Sequence, residues 1–289
     1  MNFTKLQGAG NDFALIETSE LKRDWSRLAV AICDRRFGVG ADGLLLLLPS
    51  GVADFRMRIF NADGSEAEAC GNGLRCLVRY ILDRGLWTGR GDEVFIETIA
   101  GVRRARVTGA PAKSAEIQVS LGEPKFGAKD IPVAIGEGNS SLVDIKSMLG
   151  YTITIDKREL KLNFVSMGNP HAVYFWNQPV ASFPLVQLGP KVEHHRMFPQ
   201  RINFEVARVL ERGQVEVRVW ERGVGETLAC GSGAAAVAVA AQLNGFIDDR
   251  VKIILPGGVL DVAWDGVGEV FLGGPAHIVF RGEWLGADL

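Results

Sequence analysis

Two cysteines open the same short pattern in distant parts of the chain. Cys70 begins Cys-Gly-Asn-Gly, Cys230 begins Cys-Gly-Ser-Gly, and a glutamate stands four residues before each, Glu66 and Glu226. A cysteine transfers protons near neutral pH when its surroundings stabilise the thiolate. The glycines that follow leave backbone N–H groups open to an anion such as a carboxylate. The two patterns therefore predict two acid/base thiols, each beside an anion-binding turn.

The similarity between the two regions extends upstream, which indicates an internal repeat. A Gly-Asn pair ends at Asn11, 59 residues before Cys70, and another ends at Asn169, 61 residues before Cys230. Apolar, strand-like residues follow both pairs. Two landmarks at nearly equal separation predict two halves of similar structure.

The halves are expected to be domains of similar size. We assign residues 1–125 to the first, completed by residues 273–289, and residues 126–272 to the second. The boundary is expected in the segment from Pro124 to Ser141, which is rich in proline, glycine and serine.

The pattern of apolar residues predicts an α+β fold. Short alternating or β-branched runs predict strands at Ala14–Ile16, Leu44–Leu48, Arg56–Phe60, Val94–Thr98, Arg103–Val107, Glu116–Ser120, Ala172–Phe175, Val215–Trp220, Val251–Leu255 and Glu269–Leu272. Helical spacing predicts helices at Asp24–Arg35, Gly71–Asp83 and Ser232–Asn244. The last is alanine and valine without a polar face until Gln242, so it is expected to be buried. We expect two domains related by pseudo-twofold symmetry, each a mainly antiparallel sheet or barrel around one central helix.

Both cysteines directly precede a predicted helix, and this position affects their acidity. Unpaired N–H groups and the positive end of the helix dipole stabilise a thiolate, which is expected to bring its pKa towards neutrality. If a twofold relates the halves, the two helix starts would face each other across a cleft. One thiol would remove a proton from a substrate carbon and the other would deliver one to the opposite face. Cys33 and Cys76 fall within predicted helices and are expected in the core.

Composition limits the classes of partner. A hydrophobic content of 47% supports a large core, and a net charge of −2 argues against a nucleic-acid surface. The N-terminus has no unbroken apolar segment of the signal-peptide kind, and no apolar run reaches the length of a membrane span. Four irregularly spaced cysteines are expected to be reduced. These observations predict a cytoplasmic protein that binds neither membranes nor nucleic acid.

Several separate motifs together resemble the diaminopimelate epimerase family, in the order found there: GAGNDF, NADGSEAEACGNG, MGNPHAV, INFEVA, ERGVGETLACGSG and GGPAHIVF. The resemblance covers nearly the whole chain. It implies two similar domains with a central helix in each. It also implies a two-cysteine, cofactor-independent epimerase that interconverts LL- and meso-2,6-diaminopimelate, in lysine and peptidoglycan precursor biosynthesis.

The resemblance implies roles for the matching residues. Cys230 corresponds to the proton acceptor in the LL-to-meso direction and Cys70 to the proton donor, with the roles exchanged on reversal. The backbone at Gly71-Asn72 and at Gly231-Ser232 would hold the carboxylate of the reacting centre. The family's other substrate contacts match Asn11, Asn61, Asn169, Asn203, Glu221 and Arg222.

The substrate contacts break the repeat in a way that suits an extended substrate. Asn61 aligns with Glu221, and Ala62 with Arg222. A guanidinium binds a carboxylate and a glutamate oxygen accepts from an ammonium, so Glu221 and Arg222 suit the far amino-acid end of diaminopimelate. His171 is expected to tune the thiol pKa values together with Glu221.

Two further positions follow from the resemblance. Phe280 stands where the family often has a tyrosine at its dimer contact, which implies a homodimer. Gly43 stands where some members have glutamine, so a contact made by that side chain is lost or replaced here.

Two apparent motifs are rejected. Gly38–Gly43 matches G-x-G-x-x-G, but a helix precedes it and a strand follows it, the reverse of a dinucleotide site. Glu193-His194-His195 lacks a third metal ligand and is expected to lie in a surface loop. No metal or cofactor is expected.

Two alternative functions remain. Proline racemases and hydroxyproline epimerases share the two-cysteine arrangement, but they characteristically have a histidine soon after the first cysteine, where this chain has Asn72. A non-catalytic protein that binds a small molecule is the other alternative, and it leaves the matched pair of thiols unexplained.

Overall fold

The computed structural model describes residues 1–67, 70–89, 91–108, 116–127, 129–133 and 148–286. The chain divides into two units, Met1–Ser120 with Gly273–Leu289, and Leu121–Leu272. The segment expected to hold the boundary, Pro124–Ser141, lies partly outside the described residues, at positions 128 and 134–141.

The first unit is a mixed sheet with two helices. Its strands are β1 (Asn2–Gly8), β2 (Asn11–Glu17), β3 (Gly43–Leu48), β4 (Phe55–Asn61), β5 (Glu66–Ala67), β6 (Glu93–Thr98), β7 (Gly101–Thr108), β8 (Glu116–Ser120) and β18 (His277–Glu283), and its helices are α1 (Trp25–Cys33) and α2 (Gly71–Asp83). The strand order is β18-β1-β2-β3-β4-β6-β7-β8, with β5 as a short partner of β4. The β2–β3 and β4–β6 pairs are parallel, and the other pairs are antiparallel.

The second unit repeats this arrangement. Its strands are β9 (Tyr151–Ile155), β10 (Arg158–Ser166), β11 (Pro170–Phe175), β12 (Asn203–Glu211), β13 (Gln214–Glu221), β14 (Gly225–Thr227), β15 (Arg250–Leu255) and β16 (Gly258–Ala263), followed by β17 (Phe271–Gly273), and its helices are α3 (Leu185–Glu193) and α4 (Gly231–Leu243). The order β9-β10-β11-β12-β13-β15-β16 again has two parallel pairs, β11–β12 and β13–β15, and β14 is a short partner of β13.

The register of the parallel pairs relates individual residues of the two units. Leu45 in β3 lies opposite Leu15 in β2, and Glu205 in β12 lies opposite Val173 in β11. Leu15 and Val173 each stand four residues after the asparagine that begins the repeat. Leu45 and Glu205 therefore occupy corresponding places.

A central helix packs within each sheet. Helix α2 contacts β18, β1, β2, β3, β4, β7 and β8, which span the sheet from one end to the other, and α4 contacts strands β10, β11, β12, β15 and β16. Residues Ala234–Ala241 of α4 are all buried, as expected for a helix without a polar face. The small side chains of α4 allow the surrounding strands to approach its axis closely.

A second helix covers the outer face of each sheet. Helix α1 buries Trp25, Leu28 and Ile32 against β3, whose six residues are all buried because both faces of that strand are covered. Helix α3 lies at the equivalent place between β11 and β12 and packs in the aromatic core of the second unit. Helix α3 was not predicted from the sequence.

The predicted fold class is confirmed, with small differences in the elements. The three predicted helices are observed within two residues of their expected ends. The strand predicted at Glu269–Leu272 is observed at Phe271–Gly273. Cys33 and Cys76 are buried in the core, as expected.

Candidate active site

Both cysteines of the repeat cap a central helix. Cys70 and Cys230 have extended backbone conformations, and each sulfur accepts a hydrogen bond of 3.4 Å from the backbone N–H three residues later, at Gly73 and Gly233. Gly71 and Gly231 are the first residues of the helices, followed by Asn72 and Ser232. The first turn of a helix leaves N–H groups without intrahelical partners, so each thiol lies beside donors suited to a carboxylate.

The same ion pair holds the chain segment before each cysteine. The Arg58 guanidinium donates two hydrogen bonds to Glu66, at 2.6 and 2.9 Å, and Arg218 donates two to Glu226, at 2.7 and 3.0 Å. Each pair joins the long strand to its short partner directly before the helix. The glutamates that precede the two cysteines thus fix the approach to the helix start.

A directed chain of side-chain hydrogen bonds surrounds Cys70. The Asn11 amide donates to Asp42 (2.8 Å), and its oxygen accepts from the Asn72 amide (3.3 Å) and from the Cys70 thiol (3.9 Å). The Asn72 oxygen in turn accepts from the Arg75 guanidinium (2.7 Å). The carboxylate at one end and the guanidinium at the other fix the orientation of both amides.

Arg75 is a buried cation one turn into α2. Its side chain is fully buried, and its Nε and Nη1 have no hydrogen-bond partner among the residues that the structure describes. Burial lowers the pKa of Arg75, and the nearby Cys76 and Cys70 sulfurs partly oppose this. The positive charge of Arg75 therefore acts on Cys70 from within the same helix.

A buried imidazole and carboxylate form the corresponding polar cluster of the second unit. The His171 Nδ1 atom lies 2.7 Å from Glu205 Oε1, and both side chains are fully buried. The His171 Nε2 atom lies 2.9 Å from Asn169 Oδ1. The cluster connects Asn169, an expected substrate contact, to a fixed negative charge.

The surroundings of Cys230 make its thiol less acidic than its position at a helix start predicts. Burial raises the pKa of the Cys230 thiol well above its ordinary value, and the carboxylates of Glu221 and Glu205 raise it further. Hydrogen bonds from Ser232 and from the Gly233 N–H act in the opposite direction without compensating. The expectation that the helix start brings this pKa towards neutrality is wrong for the unit without substrate, because desolvation exceeds the effect of the helix.

Glu221, the last residue of β13, lies near Cys230, Glu205 and His171. Burial raises the pKa of Glu221, and the negative charge of Glu205 adds to this increase, whereas a hydrogen bond from Thr227 opposes it. A group with a raised pKa that lies close to Cys230 is suited to exchange protons or to bind an ammonium.

Asn203 and Arg222 are joined through the backbone. The buried Asn203 amide donates to the Pro170 carbonyl (2.9 Å), and its oxygen accepts from the Arg222 N–H (2.9 Å). The exposed Arg222 side chain donates to the Gln200 carbonyl (3.1 Å). Asn203 thus holds the turn that carries Arg222, and its two polar atoms already have partners in this structure.

Glu193 supports the same turn from the end of α3. Its buried carboxylate accepts from the Trp220 indole (2.8 Å) and from the Gly223 N–H (2.9 Å). The prediction that Glu193-His194-His195 lies in a surface loop is therefore wrong for Glu193, which ends a helix and is buried; His194 caps that helix and is exposed. A carboxylate with these two donors positions the turn that carries Arg222.

Three other positions were named from the sequence, and two of them, Gly43 and Asn61, lie opposite each other on β3 and β4. Asn61 ends β4, is exposed and donates to the Ser65 hydroxyl (2.9 Å). Gly43 begins β3, and a Cβ atom there would lie 2.8 Å from the Phe60 carbonyl oxygen, so this backbone has no room for a glutamine. Phe280 is half-exposed on β18.

Sequence reasoning missed four residues that hydrogen-bond to the site residues or to the turn that carries Arg222: Asp42, Arg75, Glu193 and Glu205. Arg75 was detectable as a break in the repeat. Arg75 stands five residues after Cys70, where Ala235 stands five residues after Cys230. Glu205 belongs to the quoted INFEVA motif, but only the register of the strands shows that it replaces Leu45.

The described residues include neither a metal-binding cluster nor a helix suited to a membrane. Among them, no group of three histidine, cysteine or acidic side chains is arranged to hold a metal ion. None of the helices in the described part is long and apolar enough to cross a membrane.

Sequence comparison connects the chain to one family along nearly its whole length. The profile of the family described as diaminopimelate epimerase matches residues 3–127 and 163–279. A diaminopimelate epimerase from Acetivibrio thermocellus is 45% identical over 285 residues, covering 98% of both chains. One from Moorella thermoacetica is 44% identical over 287 residues, covering 98% of this chain and 99% of the relative.

Comparison with solved structures identifies the fold. A phenazine biosynthesis protein of the PhzF family from Bacillus anthracis superposes with a TM-score of 0.69 at 17% identity, covering 99% of both chains. A hydroxyproline epimerase from Agrobacterium vitis superposes with a TM-score of 0.68 at 15% identity, covering 98% of this chain and 90% of the other. At these identities the likeness shows a shared fold and not a shared substrate.

Proposed function

Because the chain belongs to the diaminopimelate epimerase family, we propose that it interconverts LL- and meso-2,6-diaminopimelate by transferring protons at one α-carbon without a cofactor. The observation that carries the proposal is the matched pair of thiols. Cys70 and Cys230 cap the central helices of two corresponding units, in a chain that is 45% identical to a curated member of this family. A packing role for these cysteines does not explain why both sulfurs lie at helix starts.

In the LL-to-meso direction, Cys230 accepts the α-proton and Cys70 donates one to the opposite face. The Cys70 thiol donates to the Asn11 oxygen, and the Arg75 cation lies one turn further along the same helix. Cys70 therefore has both a hydrogen-bond acceptor and a positive charge in its surroundings.

Cys230 requires a change in its surroundings before it can act as a base. Burial and the carboxylates of Glu221 and Glu205 keep this thiol neutral without substrate. The α-ammonium of the substrate brings a positive charge to this cluster, which favours the thiolate. Ionisation of Cys230 is therefore coupled to substrate binding, and the neutral thiol is protected from oxidants between turnovers.

The α-proton of an amino acid is weakly acidic, so the developing carbanion must also be stabilised. In this proposal, the N–H groups at Gly71-Asn72 and Gly231-Ser232 hold the α-carboxylate, and the buried helix starts exclude water. This arrangement strengthens the interaction with negative charge as the proton leaves.

The remaining contacts bind the far end of the substrate. Arg222 supplies a guanidinium for the distal carboxylate, and the turn that carries it is held by Asn203 and Glu193. Asn169 and Asn61 supply amides, and Glu221 an acceptor for ammonium. A compact ring such as proline has no distal group for Arg222, which disfavours the proline racemase alternative.

The cellular setting follows from the same proposal. We place the enzyme in the cytoplasm, in the biosynthesis of lysine and of peptidoglycan precursors. We also propose a homodimer with Phe280 at its contact, since this ring, in T-shaped contact with Phe3, is half-exposed on β18.

Deuterium incorporation tests the function. The protein is incubated with LL-diaminopimelate in deuterated water, and α-deuterium and the meso isomer are measured by mass spectrometry and chiral chromatography. Both are expected to appear without added cofactor. Their absence, together with inversion of proline, would replace this proposal with the racemase alternative; binding without exchange would indicate a non-catalytic protein.

Substitution of single thiols tests the mechanism. Cys70→Ala and Cys230→Ala are each expected to lower epimerisation at least about 1000-fold, because each direction needs both an acid and a base. Cys33→Ala is the matched control and is expected to retain activity, since Cys33 is a core thiol of the outer helix. Near-normal turnover in either of the first two variants would remove that cysteine from the mechanism.

A further inference from the structure

Glu205 is a fully buried carboxylate that neither gives nor takes a proton in the proposed reaction. One oxygen, Oε1, lies 2.7 Å from His171 Nδ1. The other, Oε2, has no hydrogen-bond partner among the residues that the structure describes. Burial of an ionisable group with an unsatisfied oxygen is costly, so packing alone does not explain a glutamate at this position.

The fold itself does not require a carboxylate at this place. Leu45 occupies the corresponding position of the first unit. A Cβ atom on Gly73 would meet the Leu45 side chain at 3.1 Å, and a Cβ atom on Gly233 would meet Glu205 Oε1 at 2.9 Å. Leucine and glutamate therefore pack against the same turn of the two central helices, and leucine alone is sufficient to fill the space.

The first consequence of the carboxylate is orientation. Glu205 accepts the N–H of His171 Nδ1, which fixes the imidazole ring. The opposite ring nitrogen, Nε2, then lies 2.9 Å from Asn169 Oδ1. When the imidazole donates from both ring nitrogens, Glu205 accepts from Nδ1 and Asn169 Oδ1 accepts from Nε2, which leaves the Asn169 amide N–H groups directed away from the ring as donors for the substrate.

The second consequence is electrostatic. Two carboxylates act on Cys230 from neighbouring strands, Glu205 on β12 and Glu221 on β13. A Cβ atom on Gly233 would lie 2.9 Å from Glu205 Oε1 and 3.4 Å from Cys230 Sγ, so this carboxylate and the thiol approach the same point at the helix start. Glu205 raises the pKa of Cys230 and that of Glu221, whereas His171 on β11, the partner of Glu205, lowers the pKa of Glu221. The charge of Glu205 therefore disfavours ionisation of Cys230 and of Glu221.

We infer that Glu205 is a positioning residue of the second half-site, which orients Asn169 through His171 and whose charge keeps Cys230 a neutral thiol until substrate binds. This role rests on the proposed epimerase function for the part that concerns Asn169. The part that concerns Cys230 is a property of the substrate-free protein and is measured without turnover.

Two substitutions separate the two effects. Glu205→Gln removes the charge but keeps an oxygen that accepts from His171. Glu205→Leu removes both and installs the residue that fills this place in the first unit, so the unit is expected to fold. Glu211→Gln is the matched control, because it removes a carboxylate from the exposed end of the same strand.

The first measurement is the rate at which iodoacetamide modifies each cysteine of the full-length protein near neutral pH, followed by peptide mass spectrometry. The Cys70 peptide is the internal reference. Both Glu205 variants are expected to raise the ratio of Cys230 to Cys70 modification about tenfold, which corresponds to one pKa unit. Glu211→Gln is expected to leave the ratio unchanged. An unchanged ratio in Glu205→Gln, the closest isostere, would overturn the electrostatic role.

The second measurement is the KM for LL-diaminopimelate in the same variants. Glu205→Gln is expected to keep KM within about twofold, and Glu205→Leu to raise it about tenfold, the loss of one oriented hydrogen bond. Equal KM values in wild type and Glu205→Leu would overturn the orienting role. If even the wild type shows no deuterium incorporation, the proposed function fails, while the modification ratio still decides the electrostatic role.

Discussion

The Asp12 carboxylate offers a quantitative test of how charge stabilises the first unit. It lies 2.6 Å from the Lys5 ammonium and 2.8 Å from the Arg35 guanidinium, with 19% of its side chain exposed. Burial raises the pKa of Asp12, but the hydrogen bonds from Arg35 and Lys5 outweigh it and lower the pKa from 3.8 to about 2. A lowered pKa means that the folded unit prefers the ionised carboxylate. The resulting stability is complete above the unfolded pKa and is lost as the pH falls through about 2.

Replacement of this side chain with asparagine removes the charge and keeps the shape. A shift of nearly two pKa units corresponds to about 2 kcal/mol. We expect Asp12→Asn to lower the free energy of unfolding by about that amount at pH 7, and by much less at about pH 2.5. Urea unfolding followed by circular dichroism, with both proteins measured at both pH values, tests this expectation.

An exposed pair of the second unit provides the control. Asp156 is paired with Lys191, and both side chains are more than half exposed. Such pairs contribute about 0–1 kcal/mol, so Asp156→Asn is expected to have a small effect at either pH. A loss for Asp12→Asn that does not shrink as the pH falls would refute the reasoning, as would an equal loss for Asp156→Asn.

Two further outcomes are expected. Gly73→Ala should change the free energy of unfolding by less than about 1 kcal/mol, since the gain in helix propensity offsets a contact of 3.1 Å with a leucine methyl group. Gly233→Ala should lower the free energy of unfolding by about 2 kcal/mol or more, because its Cβ would lie 2.9 Å from the Glu205 carboxylate. Urea unfolding of both variants measures these changes, and equal losses would contradict the expectation. Burial raises the pKa values of Cys33 and Cys76 to about 12, so both thiols should resist iodoacetamide at about pH 8 in the folded protein and react in urea. Peptide mass spectrometry measures the modification of each cysteine. Modification of either in the folded protein at the rate seen in urea would contradict the expectation.

Much of the fold was predictable because the central helices carry clear patterns. The apolar spacing in Gly71–Asp83 and the run of alanine and valine after Cys230 both matched observed helices. Helix α3 was not predicted, because Gly189 and Pro190 lie within it and both disfavour helix interiors. Gly189 is needed there because a Cβ atom would lie 2.5 Å from the Trp220 ring. The repeat held a signal for this helix, since α1 occupies the same place in the first unit.

The candidate site was predictable at the level of residue type but not of electrostatics. The apolar patterns that follow the two cysteines were enough to predict that both precede helices, and both cap them. The acidity of Cys230 was not predictable in this way, because it depends on burial and on carboxylates contributed by other strands. Glu205 shows the same limit, since the residue that it replaces, Leu45, is identified only by the register of the strands.

Sulfur in the capping position limits how far the helix starts of this protein can be stabilised. Serine, asparagine and aspartate are the preferred caps, because an oxygen accepts the N–H bond more strongly than a thiol does. Replacing Cys70 or Cys230 with serine would therefore favour a more stable helix start while removing the thiol. Under the proposed mechanism, selection for thermal stability alone would draw the chain towards two serines and an inert protein. The two capping positions are then places where the proposed activity and the stability of the helix start oppose each other.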